Sequence, residues 1–221
     1  MQNMAKKATG GGLRERKKQA TRTALAEAAV RLAAEHGAEG VTVEAISEAA
    51  GVSPRTFFNY FDTRDDAFAM IDAGIGERVR QAVLDAPAEL PPLTALRDAL
   101  AAELAGIESR HELWDLWAEV LHASPHLLVR SMGAHLADEL ALARAVTQRL
   151  RGGEEVPEDE PPGLYPRLVA AVAATAVRVS VAHWSAQGTG AAGRSVPFAE
   201  IFRETFAQLS AGLPAPGPGT D

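Results

Sequence analysis

The stretch SPRTFFNYF, residues 53–61, sets a guanidinium (Arg55), a hydroxyl (Thr56), a carboxamide (Asn59) and a phenol (Tyr60) among Phe57, Phe58 and Phe61. Guanidinium and carboxamide groups pair with base edges, and hydroxyls bond phosphate oxygens. Bond-making chemistry has weaker candidates. The chain has no Cys, so disulfides, thiolate metal sites and cysteine nucleophiles are excluded. It shows no nucleophile–base motif, phosphate-cradling glycine loop or nucleotide fingerprint, and Gly10–Gly12 reads as a linker. His122 and His126 lie four apart beside Glu119, a tempting metal spacing. Pro125 starts a new helix between them and spoils the shared face. The acidic run Glu154–Glu160 reads as a solvated loop. No catalytic residue, metal ligand or cofactor is expected.

Base-reading residues need a scaffold. Before them, Thr42 is an N-cap candidate for VEAISEAA, whose Val43, Ile46 and Ala50 form one stripe. Gly51 ends that helix, because glycine takes the left-handed conformation freely. Ser53 caps the next helix, with Pro54 at its first position. Two short helices around a glycine turn describe a helix-turn-helix, whose second helix enters the major groove. The aromatics then have a reason. A two-turn helix does not hold itself in place. Phe57 and Phe61, four apart, anchor it against Leu32, Val43 and Ile46. Arg55, Thr56 and Asn59 point outward, and Phe58 and Tyr60 flank the groove side. Thr63 with Asp66 three residues on reads as a capping box with Asp in place of Glu.

The charge fits. The chain of 221 residues carries a net charge of −7, yet residues 1–64 hold ten Lys+Arg against seven Asp+Glu, a net of +3. Residues 1–22 hold seven basic side chains and one Glu, among them Lys6, Lys7, Arg14, Arg16, Lys17 and Lys18. They read either as a DNA-tracking arm or as a solubilising tail.

The run ALAEAAVRLAAEHGAEGVTVEAISEAAGVSPRTFFNYFDTRDDAF resembles the DNA-binding domain of TetR-type transcriptional regulators. Gly37, Thr42, Val43, Ile46, Ala49, Gly51, Val52, Ser53, Thr56, Phe57, Tyr60, Phe61 and Arg64 carry the resemblance over about residues 14–70. It implies that Thr42 and Arg64 meet phosphates where helices begin. The position of Phe58 is often Tyr in that family, and that of Tyr60 often His. The implied DNA-binding set is Thr42, Ser53, Arg55, Thr56, Asn59, Tyr60 and Arg64. TFFNYF also resembles a branch whose ligands are acyl-CoA-like.

Beyond the motif, helical periodicity predicts a long helix from Arg64 to about Ala86, then helices near 93–109, 111–123, 124–151, 164–187 and 197–213. No strand or repeat is expected. The fold class is all-α, with about nine helices. The domain reading is a disordered arm over 1–12, a DNA-binding domain over 13–63, a helical ligand-binding and dimerisation domain over 64–213, and a disordered tail over 214–221. The amino terminus lacks the apolar core of a secretory signal. The apolar run near 168–184 is interrupted by Arg178 and reads as a buried helix, not a membrane span. The expected location is cytoplasmic, without membrane contact.

Trp114 and Trp117, with His111 and Leu121 nearby, and Trp184 beside His183, read either as core or as the wall of an apolar pocket. Val169, Ala173 and Val177 on one helix, with Phe202 and Phe206 on the next, give a candidate homodimer interface. The functional expectation is a repressor that leaves a double-stranded operator when a small apolar or amphipathic effector binds. An all-α enzyme or carrier with an incidental hairpin is the rival, and an activator or effector-free DNA binder a third reading.

Overall fold

A computed structural model describes residues 5–69, 74–187 and 196–213. Among these the chain forms ten α-helices and two 3₁₀ turns: α1 (Ala5–His36), α2 (Val43–Ala49), α3 (Pro54–Phe57), α4 (Asp66–Ala69), α5 (Ile75–Asp85), α6 (Pro92–Leu104), α7 (His111–Ala123), α8 (Pro125–Leu150), α9 (Leu164–Ala186) and α10 (Phe198–Ser210). The all-α expectation holds, and most boundaries fall within two or three residues of those predicted.

Three boundaries differ. First, α1 starts at Ala5, inside the expected disordered arm. Ala, Lys and Thr continue a helix, and each of Gly10–Gly12 costs only about 1 kcal/mol relative to alanine. Second, the predicted two-turn helix after Ser53 is one α-turn, Pro54–Phe57. It tightens into i→i+3 bonds, Asn59 N to Thr56 O (3.1 Å) and Tyr60 N to Phe57 O (2.9 Å), as short helix ends commonly do. Third, the predicted helix over 64–86 is found as α4 and α5, and residues 70–73 between them lie outside the described residues. The expected tail over 214–221 also lies outside them.

The chain divides into two compact units, Met1–Ile75 with Glu112–Leu136, and Gly76–His111 with Ala137–Asp221. In this division the chain passes between units at Ile75–Gly76, and α7 with the first half of α8 joins the first unit. Packing explains this. Val120, Leu121 and Leu127 are buried in one cluster with Leu25, Ile46, Phe57, Phe61 and Phe68. The Trp117 indole Nε1 donates to the Phe68 carbonyl (2.8 Å).

In the second unit, α9 packs on α10 and α6. An aromatic ladder runs along the seam: Trp184 to Phe198 (5.8 Å between ring centroids), Phe198 to Phe202 (5.8 Å) and Phe202 to Phe206 (4.8 Å). The Glu108 carboxylate accepts from Phe198 N (2.6 Å), satisfying a backbone donor at the start of α10. The Arg149 guanidinium donates to the carbonyls of Val83 (3.2 Å), Ala86 (2.7 Å), Leu90 (2.9 Å) and Pro87, fastening the end of α5 and the loop after it. Helix α9, at 23 residues, is long and apolar enough to cross a membrane by length and composition. Its face through Val169, Ala173, Ala176, Ser180 and Trp184 is buried, and its opposite face is exposed.

Candidate nucleic-acid interface

The turn between α2 and α3 is built by local rules. The Thr42 hydroxyl accepts from Ala45 N (3.1 Å), capping α2. At the other end Gly51 has φ +68°. Val52 N bonds Ser47 O (2.9 Å) and Gly51 N bonds Glu48 O (3.0 Å), the two bonds of a Schellman C-cap. The Ser53 hydroxyl then accepts from Thr56 N (3.1 Å) and shares a bond with the Thr56 hydroxyl (2.9 Å). Both caps, the glycine stop and Pro54 at N1 follow the sequence expectation.

This turn aims the side chains. Phe57 and Phe61 are buried with ring centroids 5.3 Å apart. Arg55 and Asn59 are exposed, and Thr56 and Tyr60 half-buried. Phe58 is 55% exposed and meets Phe57 edge-on at 5.5 Å. Thus Ser53, Arg55, Thr56, Asn59 and Tyr60 come together on one short, anchored segment. Its polar groups lie outside or half-buried and its aromatic anchors, Phe57 and Phe61, inside.

Arg64 is placed differently from the expectation. Its guanidinium donates to the carbonyls of Glu39 (3.4 Å) and Val41 (3.1 Å) and pairs with Asp65 (2.7 Å). Those donors fasten the link between α1 and α2, which holds Thr42 in place.

Several long-range contacts around the motif carry no local sequence signal. Arg22 lies over the Phe61 ring (4.9 Å to the centroid), a cation–π contact. Half of the expected capping box forms at Thr63: Asp66 Oδ2 accepts from both the backbone N and the hydroxyl of Thr63 (2.8 Å each), while Asp66 N bonds the Thr63 carbonyl (3.3 Å) and not its hydroxyl. Arg130 of α8 donates to the same carboxyl, Nε to Oδ1 at 2.8 Å, from 64 positions away. Burial pushes the Asp66 carboxyl up, but hydrogen bonds from Arg130 and Thr63 outweigh it, so its pKa lies below its ordinary value. His126 stands 3.6 Å from Glu39 and 3.8 Å from Asp65, ion pairs when the imidazole is protonated. His122 faces the Ala118 carbonyl (2.8 Å). A hydropathy pattern reports each helix face, but not which distant charge it will meet.

The candidate effector residues fall in different units. Trp114, Trp117 and Leu121 belong to the first. Leu121 is core, and Trp114 and Trp117 are partly exposed, 5.6 Å apart and nearly perpendicular. His111 and Trp184 belong to the second, where Trp184 is buried against Phe198. His111 Nδ1 meets the Glu108 carbonyl at 3.0 Å.

The candidate interface residues need a correction. Val169, Ala173, Phe202 and Phe206 are buried inside the second unit, and Val177 is half-buried. The four buried residues seal α9 against its own unit, and Val177 keeps part of its surface open. On the opposite face, Leu164, Leu168, Thr175, Val179 and Ala182 are exposed at helical spacing.

Comparisons with known proteins agree with this geometry. Residues 25–70 match the family model described as bacterial regulatory proteins, tetR family, and residues 90–214 match that of the MftR C-terminal domain. The HTH-type transcriptional regulator TcmR of Streptomyces glaucescens is 31% identical over 183 residues, spanning 79% of this chain and 77% of that one. Among solved structures, SmeT, the repressor of the Stenotrophomonas maltophilia multidrug efflux pump SmeDEF, has a TM-score of 0.50 at 16% identity, over 89% of this chain and 97% of that one. Thermus thermophilus FadR in complex with lauroyl-CoA has a TM-score of 0.48 at 22% identity, over 90% and 98%. At such identities the structural likeness concerns the fold.

Proposed function

The chain belongs to the tetR family of bacterial regulatory proteins, and from that premise we propose that it is a homodimeric repressor released from a palindromic operator by a small molecule. The observation that carries the reading is the anchored turn at α3: Phe57 and Phe61 held in the core, Arg55 and Asn59 held out of it. Arg55, Thr56 and Asn59 read bases. The hydroxyls of Thr42, Ser53 and Tyr60 bond phosphates, and Arg64 positions Thr42 through the α1–α2 link. Arg14, Lys17 and Lys18, all exposed on α1, add sequence-independent affinity.

Two copies meet through the outward face of α9, centred on Leu168, Thr175 and Val179. A two-fold dimer then reads half-sites about 34–36 Å apart. The effector is an apolar or amphipathic molecule, a class that includes acyl-CoA-like ligands. A DNA-bound regulator of this kind works in the cytoplasm and needs no enzymatic activity.

Electrophoretic mobility shift with DNA from upstream of the protein's own gene tests the reading. Asn59→Ala should narrow the gap between operator and random DNA, since a base contact is worth about 1–3 kcal/mol. Tyr60→Phe should weaken both alike. An unchanged operator-to-random ratio in Asn59→Ala would remove Asn59 from the base-reading set. Absence of operator binding by the wild type would remove the regulator reading altogether.

A further inference from the structure

Trp114 and Trp117 stand three residues apart on α7 and differ in one respect. The Trp117 Nε1 has an acceptor, the Phe68 carbonyl. The Trp114 Nε1 is buried and, among the described residues, has none. An unpaired buried donor is costly, and nearly all such groups in folded proteins are satisfied. The cluster that Trp114 packs with is Val30, Leu113, Leu116 and Trp117. None of these side chains offers an oxygen. A molecule with an apolar body and one oxygen acceptor would satisfy the donor and fill an apolar setting at once.

We propose that Trp114 Nε1 is the hydrogen-bond donor of an effector subsite, recognising a carbonyl or carboxylate oxygen on an apolar ligand. Trp114 keeps part of its surface open, so a swing of the indole brings the N–H to a ligand arriving at α7. Trp117 meets Trp114 edge-to-face (84° between ring planes) and passes the displacement on. Its indole holds the carbonyl of Phe68, which is fully buried in the same cluster as Phe57 and Phe61, the anchors of α3. Every group in this chain of contacts lies in the first unit. The proposal rests on the effector-responsive reading above, to which it adds the subsite and the ligand chemistry.

The test uses the full-length dimer with ¹⁵N-labelled tryptophan and two probes of one shape, 9-fluorenone and its carbonyl-free analogue fluorene. Three indole signals are assigned with single Trp→Phe variants. Wild-type protein should bind fluorenone at least tenfold tighter than fluorene. Fluorenone should shift the Trp114 indole proton downfield and lower operator affinity. Trp114→Phe should abolish the preference while still binding fluorene. Equal affinity for the two probes, no binding of either, or an unshifted Trp114 signal overturns the subsite, and the first two readouts require no variant. If fluorenone releases operator equally well from wild type and Trp114→Phe, the regulator is effector-responsive and the Trp114 assignment fails. If fluorenone binds through Trp114 but operator affinity is unchanged, the coupling through Trp117 fails.

Discussion

Two substitutions on α9, five residues apart, should fail in opposite ways. Ala173 is 0% exposed and faces the interior of its unit, whereas Leu168 is 56% exposed on the other side of the helix. An aspartate at 173 would place a charge where no counter-ion waits. Uncompensated buried charge costs about 3–5 kcal/mol. For a chain of this size each kcal/mol moves Tm by about 2–4 °C, so Ala173→Asp should lower Tm by roughly 6–20 °C. An aspartate at 168 sits in water in the free protomer and should change its stability by no more than about 0.5 kcal/mol. In the dimer the same residue is lost twice. Burying a whole leucine contributes about 1.5–3 kcal/mol. A little over half the side chain is available, so the two copies lose about 2–3 kcal/mol, before the cost of desolvating two carboxylates. At 1.4 kcal/mol per decade, dissociation should strengthen by roughly thirty- to a hundredfold or more. Sedimentation equilibrium read beside thermal melting at one fixed concentration separates the outcomes. A Leu168→Asp dimer whose dissociation constant stays within about threefold of the wild type's would refute the outward-face interface. A monomeric Ala173→Asp with unchanged Tm would refute the inward assignment of Ala173.

Further substitutions probe the motif and its supports. Gly51→Ala meets no atom within 4 Å but must hold φ +68°, so denaturant titration should show a loss of about 1–2 kcal/mol, largely recovered by Gly51→Asn. Because the Asp66 pKa is depressed below its ordinary 3.8, its contribution is present above that value and fades as pH falls through the folded-state pKa. Arg130→Ala should therefore raise the Asp66 pKa, seen by NMR titration, and move acid unfolding of the first unit to higher pH. Arg149→Ala should cost about 1.5–3 kcal/mol through lost charge-assisted bonds, with faster hydrogen exchange confined to the end of α5 and residues 86–91.

The legible part of this chain was the part governed by neighbours in sequence. Thr42, Gly51, Ser53 and Pro54 act through backbone groups within five residues, and each does what its type dictates. The spacing of Phe57 and Phe61 fixed which aromatics are anchors. What sequence could not supply was the choice between two equally apolar faces of one helix. On α9, Val169 and Ala173 face in while Leu168 and Val179 face out, and hydropathy alone does not distinguish them. Arg64 was read as a phosphate ligand, but the Glu39 and Val41 carbonyls that take its donors are more than twenty residues back along the chain.

The same distinction explains why the DNA-reading unit extends beyond the motif. One α-turn, Pro54–Phe57, cannot persist on local bonds alone. Its anchors need a floor, and α1, α2 and α4 leave part of that floor to Val120, Leu121 and Leu127 from α7 and α8. Two polar fastenings join the same elements, Trp117 to the Phe68 carbonyl and Arg130 to Asp66. Both land on α4, the helix that follows the recognition turn. A regulator must change the aim of α3 without unfolding it. The proposed displacement of α7 would meet that need, because Trp117 holds the Phe68 carbonyl while the caps at Thr42 and Ser53 are made within α2 and α3 themselves. The anchors Phe57 and Phe61 share a core with Trp117, and in an effector-responsive regulator the effect of a ligand on DNA affinity must equal the effect of DNA on ligand affinity.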